Sequence, residues 1–220
     1  MAKSYKAPLA AWLACAGALM ALALVAYGVD AVQRLDATLL AKFIAHQGSQ
    51  AGSFADAIAH LADPFPLLLM LALACGIALR RRRPLDAAAA VAVVAGANLT
   101  TQILKVLLAH PRVQPVLGGD QIASVAFPSG HATAATSIAI AFAFVVPYSV
   151  RPVVAVLGVT LVAAVGCSIM MLAWHFPSDV LGGILVASGW GFAVLAVLRF
   201  AETPAPDHAQ PVSRAAISVK

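Results

Sequence analysis

Charge is scarce in this chain. Asp, Glu, Lys and Arg make up 10% of its 220 residues, well below the share of roughly a quarter that soluble domains carry. With 62% hydrophobic residues and a mean hydropathy of +0.92, an ordinary water-soluble domain is excluded. Cysteine is sparse as well. Cys15, Cys75 and Cys167 each fall inside an apolar stretch, which excludes a disulfide framework or a zinc cluster and reads them as small buried hydrophobes. Aromatics amount to 7% and do not interleave with the basic side chains, so the net charge of +5 forms no nucleic-acid-binding stripe. What the chain has in quantity is long apolar runs.

Six runs approach the length of about 20 residues that a bilayer-crossing helix needs: residues 9–29, 65–79, 87–108, 131–150, 152–173 and 179–200. They predict an all-α fold, a six-transmembrane helical bundle forming a single membrane domain over residues 1–200. The first run is longer than the apolar core of a cleaved signal, about 7 to 15 residues, and is expected to stay as a helix. Between the first two runs, residues 30–63 carry Leu35, Leu39, Leu40, Phe43 and Ile44, then Phe54, Ile58 and Leu61, at near-helical spacing. That pattern predicts a helical segment lying at the interface. Residues 201–220, rich in Pro, Ala, Ser and charge, are expected to form a disordered cytoplasmic tail.

The basic residues orient the bundle. With the N-terminus inside, one side holds Lys3, Lys6, Arg80, Arg81, Arg82, Arg83, Arg151, Arg199, Arg214 and Lys220, and the other Arg34, Lys42, Lys105 and Arg112. Ten against four matches the positive-inside rule, with both termini cytoplasmic and the protein in the inner (plasma) membrane. This arrangement collects the polar exceptions on the extracytoplasmic side, and polar groups in membrane-grade sequence are a functional signal.

The first exception is Pro128, Ser129, Gly130 and His131, just ahead of the fourth run. Ser129 suits a helix N-cap, Gly130 allows close backbone approach, and free amides at a helix N-terminus make an anion site. The second is His175 to Asp179, opening the sixth run with Pro177 suited to the first helical position. Asp179, four residues after His175, can accept one ring N–H and leave the other nitrogen free to act as nucleophile or base. Lys105 lies near the outer end of the third run, and Arg112 follows the break at Pro111 as a forked donor for an oxyanion. Two cations, a helix N-terminus and a prepared histidine on one side imply a phosphate. Acidic metal ligands in suitable number are missing, so stabilisation of its charge falls to the protein, with no cofactor.

These residues resemble the signatures of the type 2 phosphatidic acid phosphatase superfamily, integral-membrane lipid phosphate phosphatases that share a core with vanadium haloperoxidases. The family pattern is Lys and Arg separated by six residues and followed by Pro, then Pro-Ser-Gly-His, then Ser-Arg, five residues, His, three residues, Asp. This chain has Lys105 and Arg112, then Pro128 to His131, then Ser168, His175 and Asp179. The match covers about residues 95–190, and before that only the topology agrees. Val113 stands where the family has Pro, and Ile169 where it has Arg.

The resemblance implies that His175 attacks phosphorus, Asp179 supports its imidazolium, and His131 protonates the leaving oxygen and later assists water. Lys105, Arg112, Ser129 and the Gly130 amide are implied as phosphate-binding, without metal. The implied substrate is a lipid phosphate or an isoprenyl diphosphate such as undecaprenyl diphosphate, reached through membrane lipids at the outer leaflet. Loss of one charge-assisted donor at Ile169 is expected to lower the rate roughly 100- to 1000-fold. Two other readings therefore stay open: a weak or inactive lipid-phosphate binder, and a phosphotransferase with a lipid or sugar alcohol acceptor. Head group and oligomeric state are not specified by any residue pattern.

Overall fold

The computed structural model describes residues 4–46, 48–109 and 122–202. Eight α-helices are found among them: α1 Lys6–Gly28, α2 Asp30–Ile44, α3 Ser49–Ala59, α4 Pro64–Arg80, α5 Pro84–Leu107, α6 Gly130–Val145, α7 Arg151–Met171 and α8 Pro177–Ala201. Short 3-10 turns cover His60–Ala62 and Tyr148–Val150. The six expected runs coincide with α1 and α4 to α8. The fourth ends earlier than residue 150, because Val146 turns extended ahead of Pro147, as residues before proline do. Residues 203–220, to which nearly all of the expected tail belongs, lie outside the described residues.

Helices α1, α5, α7 and α8 are long and apolar enough to cross a bilayer by themselves. Helix α4, 17 residues long, is read as the second span, and the segment ahead of it meets it at a bend of 53°. Helix α6 has only 16 residues, about 24 Å at 1.5 Å each. Its position explains the shortness. It packs against α4, α5, α7 and α8 at once, and Ala132 to Ile138 are buried without interruption. A helix apolar on all sides belongs in the middle of a bundle, and its Ala, Thr and Ser side chains let neighbours come close.

The outer faces are apolar too. Leu13, Met20 and Leu24 on α1, Leu68, Leu69 and Leu73 on α4, and Val156, Leu157 and Val159 on α7 point away from the protein. Only a hydrocarbon surround makes so much outward-facing leucine and valine tolerable, so the chain is a multi-pass membrane protein. The three cysteines are free, and Cys167 is exposed on an outer face instead of buried.

The segment after α1 is helical, as its spacing predicts, though its apolar residues do not all turn inward. Ala37 and Leu40 of α2 are buried, while Leu35 and Phe54 remain exposed. Asp36, also buried, accepts from the Ser178 backbone N–H at 3.0 Å and from the Ser178 hydroxyl at 2.5 Å. A carboxylate from α2 thereby satisfies orphan donors at the start of α8, where the helix dipole favours negative charge.

The arginine run has a structural reading. Arg82 takes a left-handed φ of 55°, Arg82 N–H bonds Leu79 O and Arg83 N–H bonds Ala78 O, each at 2.9 Å. That is a Schellman turn ending α4, with Pro84 opening α5. Arg81 reaches the Val145 carbonyl at the end of α6. The cations also complement the C-terminal end of the α4 dipole.

Candidate active site

The opposite end of the bundle gathers the polar residues. Helix α7 closes in a second Schellman turn: Ala173, at φ 57°, sends its N–H to Met170 O at 3.1 Å, and Trp174 sends its own to Ile169 O at 2.9 Å. The chain reverses over Trp174, His175 and Phe176 and enters α8 with Pro177 at the helix start. Asp179 lies in the first turn, fully buried, and its Oδ2 accepts the Phe176 backbone N–H at 2.9 Å. The carboxylate is thus aimed by the helix start before any substrate arrives. His175 Nδ1 lies 3.5 Å from the same oxygen and makes no hydrogen bond within the described residues. The pair is close without a formed hydrogen bond.

The Pro-Ser-Gly-His motif docks directly on this turn. Ser129 N–H donates to the Asp179 carbonyl at 2.9 Å, while its hydroxyl caps α6 by accepting from Ala132 N–H at 3.3 Å. Gly183, one turn along α8, makes the approach possible: a Cβ there would stand 2.5 Å from Ser129 O. The Thr133 hydroxyl donates to Ser129 O within α6 at 2.8 Å and also stands 3.4 Å from the Gly183 carbonyl of α8, a contact between the two helices. His131, in the first turn of α6, then lies with its ring 6.3 Å from that of His175.

Lys105 comes from α5. Its register is set by polar contacts on one face of α5 toward α6: Asn98 Nδ2 to Ser137 Oγ at 3.3 Å and Thr101 Oγ1 to Thr133 Oγ1 at 2.8 Å. Further along that face, Lys105 Cε would lie 3.9 Å from a Cβ built on Gly130, and the ammonium interacts electrostatically with Asp179 and His131. Six expected residues, His175, Asp179, His131, Ser129, Gly130 and Lys105, therefore converge. Arg112 and Val113 lie outside the described residues.

Such an end of a bundle offers donors and one cation to an anion, beside a buried imidazole backed by a carboxylate. The sequence profile of the PAP2 superfamily matches residues 86–202, just over half of the chain. The chain belongs to the PAP2 superfamily. It is also similar to the crystal structure of a transmembrane PAP2-type phosphatidylglycerolphosphate phosphatase from Bacillus subtilis, with a TM-score of 0.69 and 23% identity over 89% of this chain and 96% of that one. At that identity the likeness speaks for the fold. No curated protein sequence matches the chain.

Against the PAP2 pattern, Ile169 is a buried core residue. It is fully enclosed, in the apolar cluster that includes Val165, Ile138 and Phe176, and its carbonyl closes the α7 turn. Three site residues were not evident from the sequence. Asp63 Oδ1 lies 3.3 Å from His131 Nε2, and Asp63 Oδ2 lies 2.7 Å from His60 Nδ1. Trp174 sits beside both imidazoles, with ring centroids 5.4 Å from His131 and 6.0 Å from His60. The hydrogen bond from His60 holds the Asp63 carboxyl below its ordinary range, and the same bond pushes the exposed His60 imidazole up. One signal for Asp63 was available: a carboxylate at the mouth of an apolar run, directly before proline.

Proposed function

We propose that this protein is a membrane phosphatase that hydrolyses a lipid phosphate or isoprenyl diphosphate at the outer leaflet through a phosphohistidine. The observation that carries the reading is the Ser129 to Asp179 backbone bond, which locks the Pro-Ser-Gly-His helix start against the His175–Asp179 turn. The two imidazoles then flank one space, with Lys105 beside it.

His175 attacks phosphorus through Nε2 while Asp179, on the Nδ1 side, stabilises the positive charge that develops on the ring. His131 gives a proton to the leaving oxygen as its bond to phosphorus breaks. It then takes a proton from the water that cleaves the phosphohistidine. Lys105, Arg112 and the α6 amides hold the non-bridging oxygens, whose charge grows in the transition state. The sidedness is supported by the ten-to-four bias of basic residues, which favours an extracytoplasmic position for these groups.

A lipid substrate suits the surface below the site. A groove of about 600 Å³ runs down α6, α7 and α8, lined by Thr136, Val162, Gly166, Met170, Val180 and Ile184. It begins at Val180, next to Asp179, and is almost wholly apolar. A hydrocarbon tail can lie there while the phosphate reaches His175. The similar Bacillus subtilis protein is named for a phospholipid phosphomonoester, which makes phosphatidylglycerophosphate the first head group to assay.

The enclosed Ile169 favours a second reading, a lipid-phosphate binder with little turnover, because no guanidinium arises at that place. One assay separates them. Purified protein given a radiolabelled lipid phosphate and quenched in alkali retains acid-labile label on His175 and releases phosphate. His175→Ala abolishes both. A wild type that binds the lipid but neither labels nor releases phosphate leaves the binder.

A further inference from the structure

We propose that Asp63 is a positioning residue for His131: it takes the Nε2 side of the ring so that Nδ1 is presented to the substrate, and His60 anchors Asp63 in that place. This rests on the reading of His131 as the acid for the leaving oxygen.

Asp63 occupies the N-cap position of α4, immediately before Pro64, where an aspartate ordinarily accepts a backbone N–H of the first turn. It makes no such bond. Both of its oxygens are committed to imidazoles instead, at 3.3 Å to His131 and 2.7 Å to His60. His60 Nε2 lies in turn 3.5 Å from Asp56 Oδ1 at the exposed rim. Trp174 lies beside both rings, tilted against His131 and edge-on to His60.

The chemistry follows from the tautomer. A carboxylate accepting from Nε2–H assigns that nitrogen a fixed proton, and the proton to be transferred resides on Nδ1. During cleavage the Nδ1 proton passes to the ester oxygen as its bond to phosphorus breaks, releasing a neutral alcohol. In the second half the attacking water returns a proton to Nδ1 as the phosphorus bond to His175 breaks. Asp63 keeps its negative charge throughout and favours the protonated ring at the start of each cycle. Among the described residues, the groups facing His131 are Asp63 from the α4 start, His175 and Trp174 from the α7–α8 turn, and Lys105 from α5. Those facing His60 are Asp56, Asp63 and Trp174.

The test compares two leaving groups in detergent: dodecyl phosphate, whose alkoxide must be protonated, and 4-nitrophenyl phosphate, whose phenolate leaves without help. Asp63→Asn lowers kcat/KM on dodecyl phosphate at least about tenfold, a part of the roughly 100- to 10,000-fold that positioned proton transfer contributes. It changes kcat/KM on 4-nitrophenyl phosphate less than about threefold, because kcat/KM reports only the first half-reaction and not the hydrolysis common to both substrates, and it moves the alkaline fall of kcat/KM on dodecyl phosphate to lower pH. Asp63→Glu recovers part of the loss. His60→Gln, at an exposed position, shows the same selectivity to a smaller degree and serves if Asp63→Asn does not fold.

Equal loss of kcat/KM on both substrates, or loss on neither, overturns the proposal. If His131→Asn itself spares dodecyl phosphate, the assignment of His131 as the acid fails, and the fault lies there. The contact has its own readout in nitrogen-15 spectra of labelled histidine. Asp63→Asn shifts the His131 ring resonances even in protein that turns nothing over, and unchanged resonances remove the basis of the proposal.

Discussion

Single residues in this protein do two jobs where the chain is most polar. Asp179 completes the start of α8 and backs His175 with one oxygen. Ser129 caps α6 with its side chain and pins α8 with its backbone N–H. His60 and Asp63 show the same economy at the rim and give a pH signature. The raised His60 makes its contribution in full below its ordinary value, about pH 6.5, and loses it as pH rises through the folded-state value. The lowered Asp63 makes its contribution in full above about pH 4 and loses it as pH falls through its own folded-state value. The pair therefore stabilises most between those limits. In thermal unfolding, the gap between wild type and His60→Gln is expected to be widest near pH 5 to 6 and to close by about pH 9. A gap that stays constant with pH shows that the pair contributes no proton-linked stability.

At the scale of elements, the site depends on how closely α6 and α8 approach. Glycines set that distance. Gly182 faces the Phe127 ring, where a Cβ would stand 2.7 Å from Cε2, and Gly183 faces the Ser129 carbonyl at 2.5 Å. Backbone cannot swing aside as a flexible side-chain end can. Gly183→Ala is expected to cost about 1–3 kcal/mol by overpacking and to cut kcat more than it raises KM, because it parts His131 from His175. Thermal unfolding and steady-state kinetics on one preparation check both, and unchanged kcat would show that the helices can part without harm. The six apolar helices could be read from the apolar runs alone, since hydrocarbon demands such runs regardless of neighbours. Helix α6 could be placed in the sequence but not in the bundle: its low charge and small residues are shared by the other spans, and burial on all sides is a property of the assembled helices.

For the whole molecule, the arrangement separates a polar end from an apolar flank. The groove on α6, α7 and α8, with Val180 in its lining, lies on that flank, and it gives a test of how the tail is held. Val162→Trp fills part of that groove, away from every group assigned to chemistry. It is expected to raise KM for a long-chain lipid phosphate several-fold and to leave hydrolysis of 4-nitrophenyl phosphate unchanged. Equal kinetics on both substrates would place the tail elsewhere.

The sequence by itself determined the membrane class, the positions of the apolar helices, the family, and six of the residues that converge at one end. These are local properties: apolar run length, and short motifs whose spacing survives any arrangement of the helices. Only the tertiary structure decided that Asp63, 68 residues before His131, turns its carboxylate to that ring instead of capping α4. It also decided that Asp36 ties α2 to the start of α8 across 142 residues, and that Ile169 belongs to the core. A carboxylate's partner is chosen by which groups folding brings within about 3 Å, and no pattern along the chain records that distance.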